Sequence, residues 1–181
     1  MVKNYYKIGF LLFLSLLIYS RSPYIFNYGR FFSLDLTYHF EIEALNLINS
    51  LFFVDYSARY LNIISNISSI ISSRFFDLEN SQYVAVYLSL IIYLIIILKV
   101  LYEESRLFSN QIQKYLFSSL IILTPVMSFE IWLNAINLQV YLGLLSIIIL
   151  FLNPDKTKKI FNYFLLIICG LSGIYSCALT P

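Results

Sequence analysis

The sequence predicts an all-α, polytopic integral membrane bundle of about five transmembrane helices, with amphipathic interfacial helices in the first extracytoplasmic loop. Three observations predict it. The 181 residues are 60% hydrophobic and only 12% charged, half the roughly 25% of a soluble domain, with a mean hydropathy of +0.78. Apolar runs approach the roughly 17–25 residues that a spanning helix needs. Finally, the lysines fall into three tight clusters separated by those runs: Lys3 and Lys7, Lys99 and Lys114, and Lys156, Lys158 and Lys159. That alternation is the positive-inside pattern of a chain threaded repeatedly through a bilayer.

The elements follow in order within one membrane domain, 1–181. A first span, about Tyr6 to Tyr19, has a Lys-flanked start like a signal peptide, but SRSPYIF follows in place of a small-residue cleavage site. It therefore reads as an uncleaved signal anchor. A long mixed segment, about 20–81, comes next as the extracytoplasmic loop. Within it Ala58 to Phe76 carries Leu61, Ile64, Ile67 and Ile71 on one helical face, with Asn62, Ser65, Asn66, Ser69 and Ser73 largely opposite. Such a helix suits either the outer membrane interface or the protein's own spans. A second amphipathic piece, about Phe40 to Phe53, precedes it. Further spans are expected over about 82–101, 115–132 (kinked at Pro125), 138–152 and 160–179. Counting Lys and Arg near the span ends puts the N-terminus in the cytoplasm of an inner or plasma membrane protein.

The formal charge of +2 and the lack of a basic patch mixed with aromatics give no reason to expect nucleic acid as a partner. Cys169 and Cys177 lie about two helical turns apart in one apolar segment, too far to bridge, and read as lipid-phase small residues. There is no phosphate-cradling glycine loop, no His/Cys metal spacing and no recognisable Ser-His-Asp arrangement. The sole histidine, His39, reads as an ordinary interfacial side chain.

Acidic residues at the outer surface are the candidates for chemistry. Asp35, in RFFSLDLTYHFE, sits among aromatics soon after the first span. A partly desolvated carboxylate is suited to act as a general base, whereas a solvated one would simply pair with Arg30. In FEIWLNAINLQVYLGLL, Glu130, Asn134, Asn137 and Tyr141 recur at intervals of four, three and four and would share one face of a helix. Polar groups at that depth line a watery cavity or bond neighbouring helices.

Three stretches, RFFSLDLTYHF with SLFFVDYSARYLNIISNI, FEIWLNAINLQVYLGLL and GLSGIYSCALTP, together resemble uncharacterised bacterial polytopic membrane proteins. Those are distantly related to the GT-C class of lipid-phosphosugar-dependent glycosyltransferases. The resemblance implies an acid in the first outer loop and a sugar taken from a polyprenyl phosphate carrier; no further cofactor is expected, and no residues are assigned to a metal. Asp35 would deprotonate an acceptor hydroxyl of the cell envelope. Glu130, Asn134 and Asn137 would line the cavity, and Arg59 or Arg74 would neutralise the lipid-linked phosphate, a role that suits guanidinium. The chain departs from the pattern in having Leu34 where a second acid is usual, Tyr56-Ser57-Ala58-Arg59-Tyr60 where a glycine is common, and Gly173-Ile174 in place of Gly-Pro. The alternatives are a non-enzymatic transporter or flippase-like module, or an inactive truncated remnant. Expected partners are the bilayer, the lipid-linked sugar and a missing C-terminal part or another membrane subunit.

Overall fold

The computed structural model describes residues 2–29, 33–56, 59–124, 132–152 and 159–173. Among these the chain forms nine α-helices and no strand: α1 Val2–Arg21, α2 Pro23–Tyr28, α3 Ser33–Glu43, α4 Leu47–Leu51, α5 Ile63–Phe75, α6 Leu78–Tyr102, α7 Gln111–Leu123, α8 Gln139–Leu150 and α9 Lys159–Gly170. Local chemistry sets many of these boundaries. Asn46, Asn62 and Asn110 cap α4, α5 and α7, each side chain accepting a backbone N–H from three residues on. Pro23 opens α2, and Gly29 closes it at a φ of +58° that a side chain would resist.

Helix α6 is the axis of the assembly. Its Tyr93, Ile96, Ile97, Val100 and Leu101 are buried in one core with Leu14 and Ile18 of α1, Ile122 of α7, Leu142, Leu145 and Ile148 of α8, and Leu165 and Cys169 of α9. A smaller cluster of Tyr38, Ile42, Ile70 and Ile136 joins α3 and α5 to the segment before α8.

The five-span expectation is not met. Among the described residues one helix, α6, is long and apolar enough to cross a membrane. Its 25 residues reach about 37 Å at 1.5 Å per residue, beyond the ~30 Å hydrocarbon core. Helices α7, α8 and α9, at 13, 12 and 12 residues, extend only about 18–20 Å. Helix α1 has 20 residues, but its first two turns read VKNYYK and dilute its apolar character. Within α6, 56% of the most apolar stretch is buried by the protein itself, as in a core helix. Hydropathy reports how apolar a run is, not where its helix stops. Here the run before Gln139 is broken by turns at 132–138, and the amphipathic piece at 40–53 is divided between α3 and α4.

Helix direction alternates, and this gathers the lysines. Lys7 Nζ donates to Leu101 O at 3.0 Å, and Lys114 Nζ donates to Glu103 O. Buried Lys99 donates to Glu103 Oε1 at 2.6 Å and to Asn162 Oδ1 of α9, one turn after Lys159. At the opposite end Arg21, closing α1, donates to Ile122 O and Thr124 O at the end of α7. There too Leu171 O accepts from the Ile63 N–H at the start of α5.

Candidate functional site

The site lies at the end away from the lysines, where α3, α5 and the N-terminal half of α6 meet. Helix α5 is amphipathic as the sequence indicates, but its serine side is buried as fully as its apolar side, where Ile64 is buried and Ile67 and Ile71 are half-buried. Ser65, Asn66, Ser68, Ser69 and Ser72 are all buried, while Phe75 and Phe76 are exposed. A serine face can be buried because hydroxyls find nearby backbone acceptors, as Ser72 Oγ does on Ser69 O at 3.1 Å.

Asp35, in the first turn of α3, is 8% exposed and lines a small, narrow cavity with Ser65, Ser68, Ser69 and Ser72 of α5 and Ser81 of α6. The cavity measures about 10 Å³, room for roughly one water. The Ser65 hydroxyl, buried at its wall, has no hydrogen-bond partner in the protein.

Asn134 orients the carboxylate. Its Nδ2 donates to Asp35 Oδ2 at 3.1 Å, while its Oδ1 accepts the Ile136 N–H at 2.8 Å and the Asn137 N–H at 3.2 Å. Two amide donors on Oδ1 fix which way the carboxamide points. Residues 132–138 are turns rather than helix, so Asn134, Asn137 and Tyr141 do not share a helical face. The segment is held from both sides. Asn62 Nδ2 donates to Ile136 O at 3.0 Å, and Gln139 Nε2 to Tyr60 Oη at 2.9 Å. Leu133 takes a positive φ of 49°, and Trp132 is buried beneath the Arg21 guanidinium, 4.1 Å from its ring centre. A left-handed backbone at a non-glycine residue is a local strain that the anchors on either side hold in place.

His39, also buried, lies one turn after Asp35, and its Nδ1 is 2.9 Å from Ser72 Oγ. Burial holds the imidazole below its ordinary range, and the Glu43 carboxylate one turn further on pulls it back upward. His39 is thus a buried, hydrogen-bonded side chain, where its sequence context suggests an ordinary interfacial one. The signal that could have found it is the i, i+4 spacing of Asp35 and His39 together with serines recurring at 65, 68, 69 and 72.

The remaining candidates separate. Arg74 gives its guanidinium to Leu45 O at 2.8 Å and Ser50 Oγ at 3.3 Å, tying the end of α5 to the α3–α4 connection. Arg59 is exposed at a φ of 57°, its N–H donating to Asp55 O. Asn137 is half-buried and contributes its N–H to Asn134. Glu130 lies outside the described residues, as do Arg30, Pro125 and Cys177. Among the described residues no three His, Cys, Asp or Glu side chains gather where they could hold a metal ion.

On the far side of the α5–α6 seam is a groove of about 650 Å³ walled by Phe26, Ile71, Phe76, Tyr83, Tyr87 and Ile91. Ile71 is the chain neighbour of Ser72, so the two sites share one helix pair. No family model, no curated protein and no solved structure matches the chain.

Proposed function

We propose that the protein is a membrane-bound, glycosyltransferase-like protein that passes a sugar from a polyprenyl-phosphate carrier to a cell-envelope acceptor, with Asp35 as general base. The observation that carries this reading is the buried Asp35 carboxylate, aimed by Asn134 and set one helix pair away from an apolar, aromatic groove. A groove of that size and lining suits a lipid chain. The carboxylate supplies the acceptor for a hydroxyl proton. Because Arg74 is engaged with Leu45 O and Ser50, the carrier phosphate falls to Arg59, at the same end of the molecule. Asn137 completes the lining in this reading.

The membrane itself is the first partner. Apolar side chains stand exposed at helical spacing on α7 (Ile112, Leu116, Leu120) and on α9 (Ile160, Phe164, Ile167), more than solvent-facing helices carry. With α6 crossing the bilayer, the lysine end is cytoplasmic and the Asp35 end faces outward. The cavity admits about one water, so a larger acceptor reaches Asp35 when α3 separates from α5 and α6.

The test is transfer of labelled sugar from polyprenyl-phosphate donors in proteoliposomes. Asp35→Asn removes the base with little change of shape and should abolish transfer; retained transfer overturns the assignment. The apolar groove also suits one other reading, a transporter or flippase-like module, which would move lipid-linked substrate across the vesicle without transferring sugar.

A further inference from the structure

A base that accepts a proton at a buried site must also release it. Asp35 and Ser72 line the same one-water cavity, and Ser72 Oγ lies 2.9 Å from His39 Nδ1. Asp35, His39 and Glu43 recur every four residues along α3, buried, buried and exposed in turn. They therefore climb one side of the helix from the cavity to the surface.

We propose that Ser72 and His39 form the proton exit from Asp35, so that His39 is a positioning and relay residue rather than a structural one. This rests on Asp35 being the proton acceptor. The carboxylic acid passes its proton to a water in the cavity, and that water passes one of its own to Ser72 Oγ. Ser72 in the same step gives its hydroxyl proton to His39 Nδ1. Asp35 returns to carboxylate, the water and Ser72 are regenerated, and the imidazole becomes imidazolium. The imidazolium then loses its Nε2 proton toward Glu43 and solvent.

The resulting tautomer donates from Nδ1 to Ser72 Oγ, whose hydroxyl turns to Ser69 O, an acceptor already 3.1 Å away. Both hydrogen-bonded states are therefore built into the site; the starting tautomer returns when the ring turns Nδ1–H away from Ser72, loses that proton to water, regains one on Nε2 and turns back. Among the described residues the charged group that bears directly on His39 is Glu43 of its own helix, while Asp35 reaches it through the cavity and Ser72. The α5 side packed against it offers serine hydroxyls, and Arg74 at the end of that helix is taken up by Leu45 O and Ser50.

Because His39 is the sole histidine, its titration can be read directly by NMR of the full-length, histidine-labelled protein in micelles. Replacing Asp35 with Asn removes a negative charge linked to the imidazole, so the His39 midpoint should fall by about half a unit or more. In a Ser72→Ala background the Asp35→Asn shift should shrink below about 0.2 units, and Ser72→Thr, which keeps the hydroxyl, should restore it. An unchanged midpoint in Asp35→Asn, or a shift of equal size with and without the Ser72 hydroxyl, overturns the relay. The titration needs no substrate, so the two readings fail separately. Abolished transfer with an uncoupled His39 removes only the relay, and a coupled His39 with undiminished transfer in Asp35→Asn removes only the transferase reading.

Discussion

Replacing Asn134 with Asp is nearly isosteric and isolates what the carboxamide does for Asp35. The variant keeps an oxygen to accept the Ile136 and Asn137 N–H groups, at 2.8 and 3.2 Å in the native chain. It replaces the Nδ2 donor, 3.1 Å from Asp35 Oδ2, with a second carboxylate oxygen. Two carboxylates this close in a buried site cannot both ionise, so the pair retains a proton and one folded-state pKa rises. A raised folded pKa gives stability that is complete below the unfolded value of about 3.9 and is lost as pH climbs through the folded one. Each unit of that rise costs about 1.4 kcal/mol at pH above both values. With the lost charge-assisted hydrogen bond added, Asn134→Asp should cost about 3–5 kcal/mol at pH 7 and only about 1 kcal/mol near pH 4. Chemical unfolding in micelles at several pH values, each compared with the parent protein, measures this difference. Asn134→Ala, which loses all three bonds without adding charge, should show a deficit of about 2–4 kcal/mol that hardly changes with pH. Parallel pH profiles for the two variants would refute the idea that Asn134 holds an ionised Asp35.

Lys99→Met should be strongly destabilising, by about 3–5 kcal/mol, because it strands the buried Glu103 carboxylate that Lys99 meets at 2.6 Å. The double change Lys99→Met with Glu103→Leu should recover most of that loss; a thermal-unfolding double-mutant cycle without recovery would show that the pair is not the reason. Leu145→Ala, in the α8 face against α6 and with 0% exposure, should cost about 2–5 kcal/mol by the same assay, as a core leucine truncation does.

Several helix starts are legible residue by residue. Asn46, Asn62 and Asn110 each precede the helix they cap, and Pro23 sits where a helix tolerates it. The alternating apolar face of Ile64 and its neighbours marks α5. That the serine side of α5 is buried as well is not legible, because hydroxyls satisfied by their own helix lose little on burial. For the same reason the cavity around Asp35 leaves no trace in hydropathy. Asn134 is harder still. The regular spacing around it reads as a helical face, while a turn anchored by Asn62 and Gln139 decides where its carboxamide points.

The sequence by itself determined that the chain is helical and where several of its helices start, because periodicity and capping are properties of neighbouring residues. Only the tertiary structure decided that, among the described residues, the apolar runs yield one helix of crossing length rather than five, and that Lys7, Lys99 and Lys114 meet around the last turn of α6. It also decided that Asp35 is held by a residue 99 positions away and shares its cavity with Ser72, the partner of His39. Those outcomes depend on which surfaces pack together, and packing is set by shape and hydrogen bonding between segments far apart in the chain.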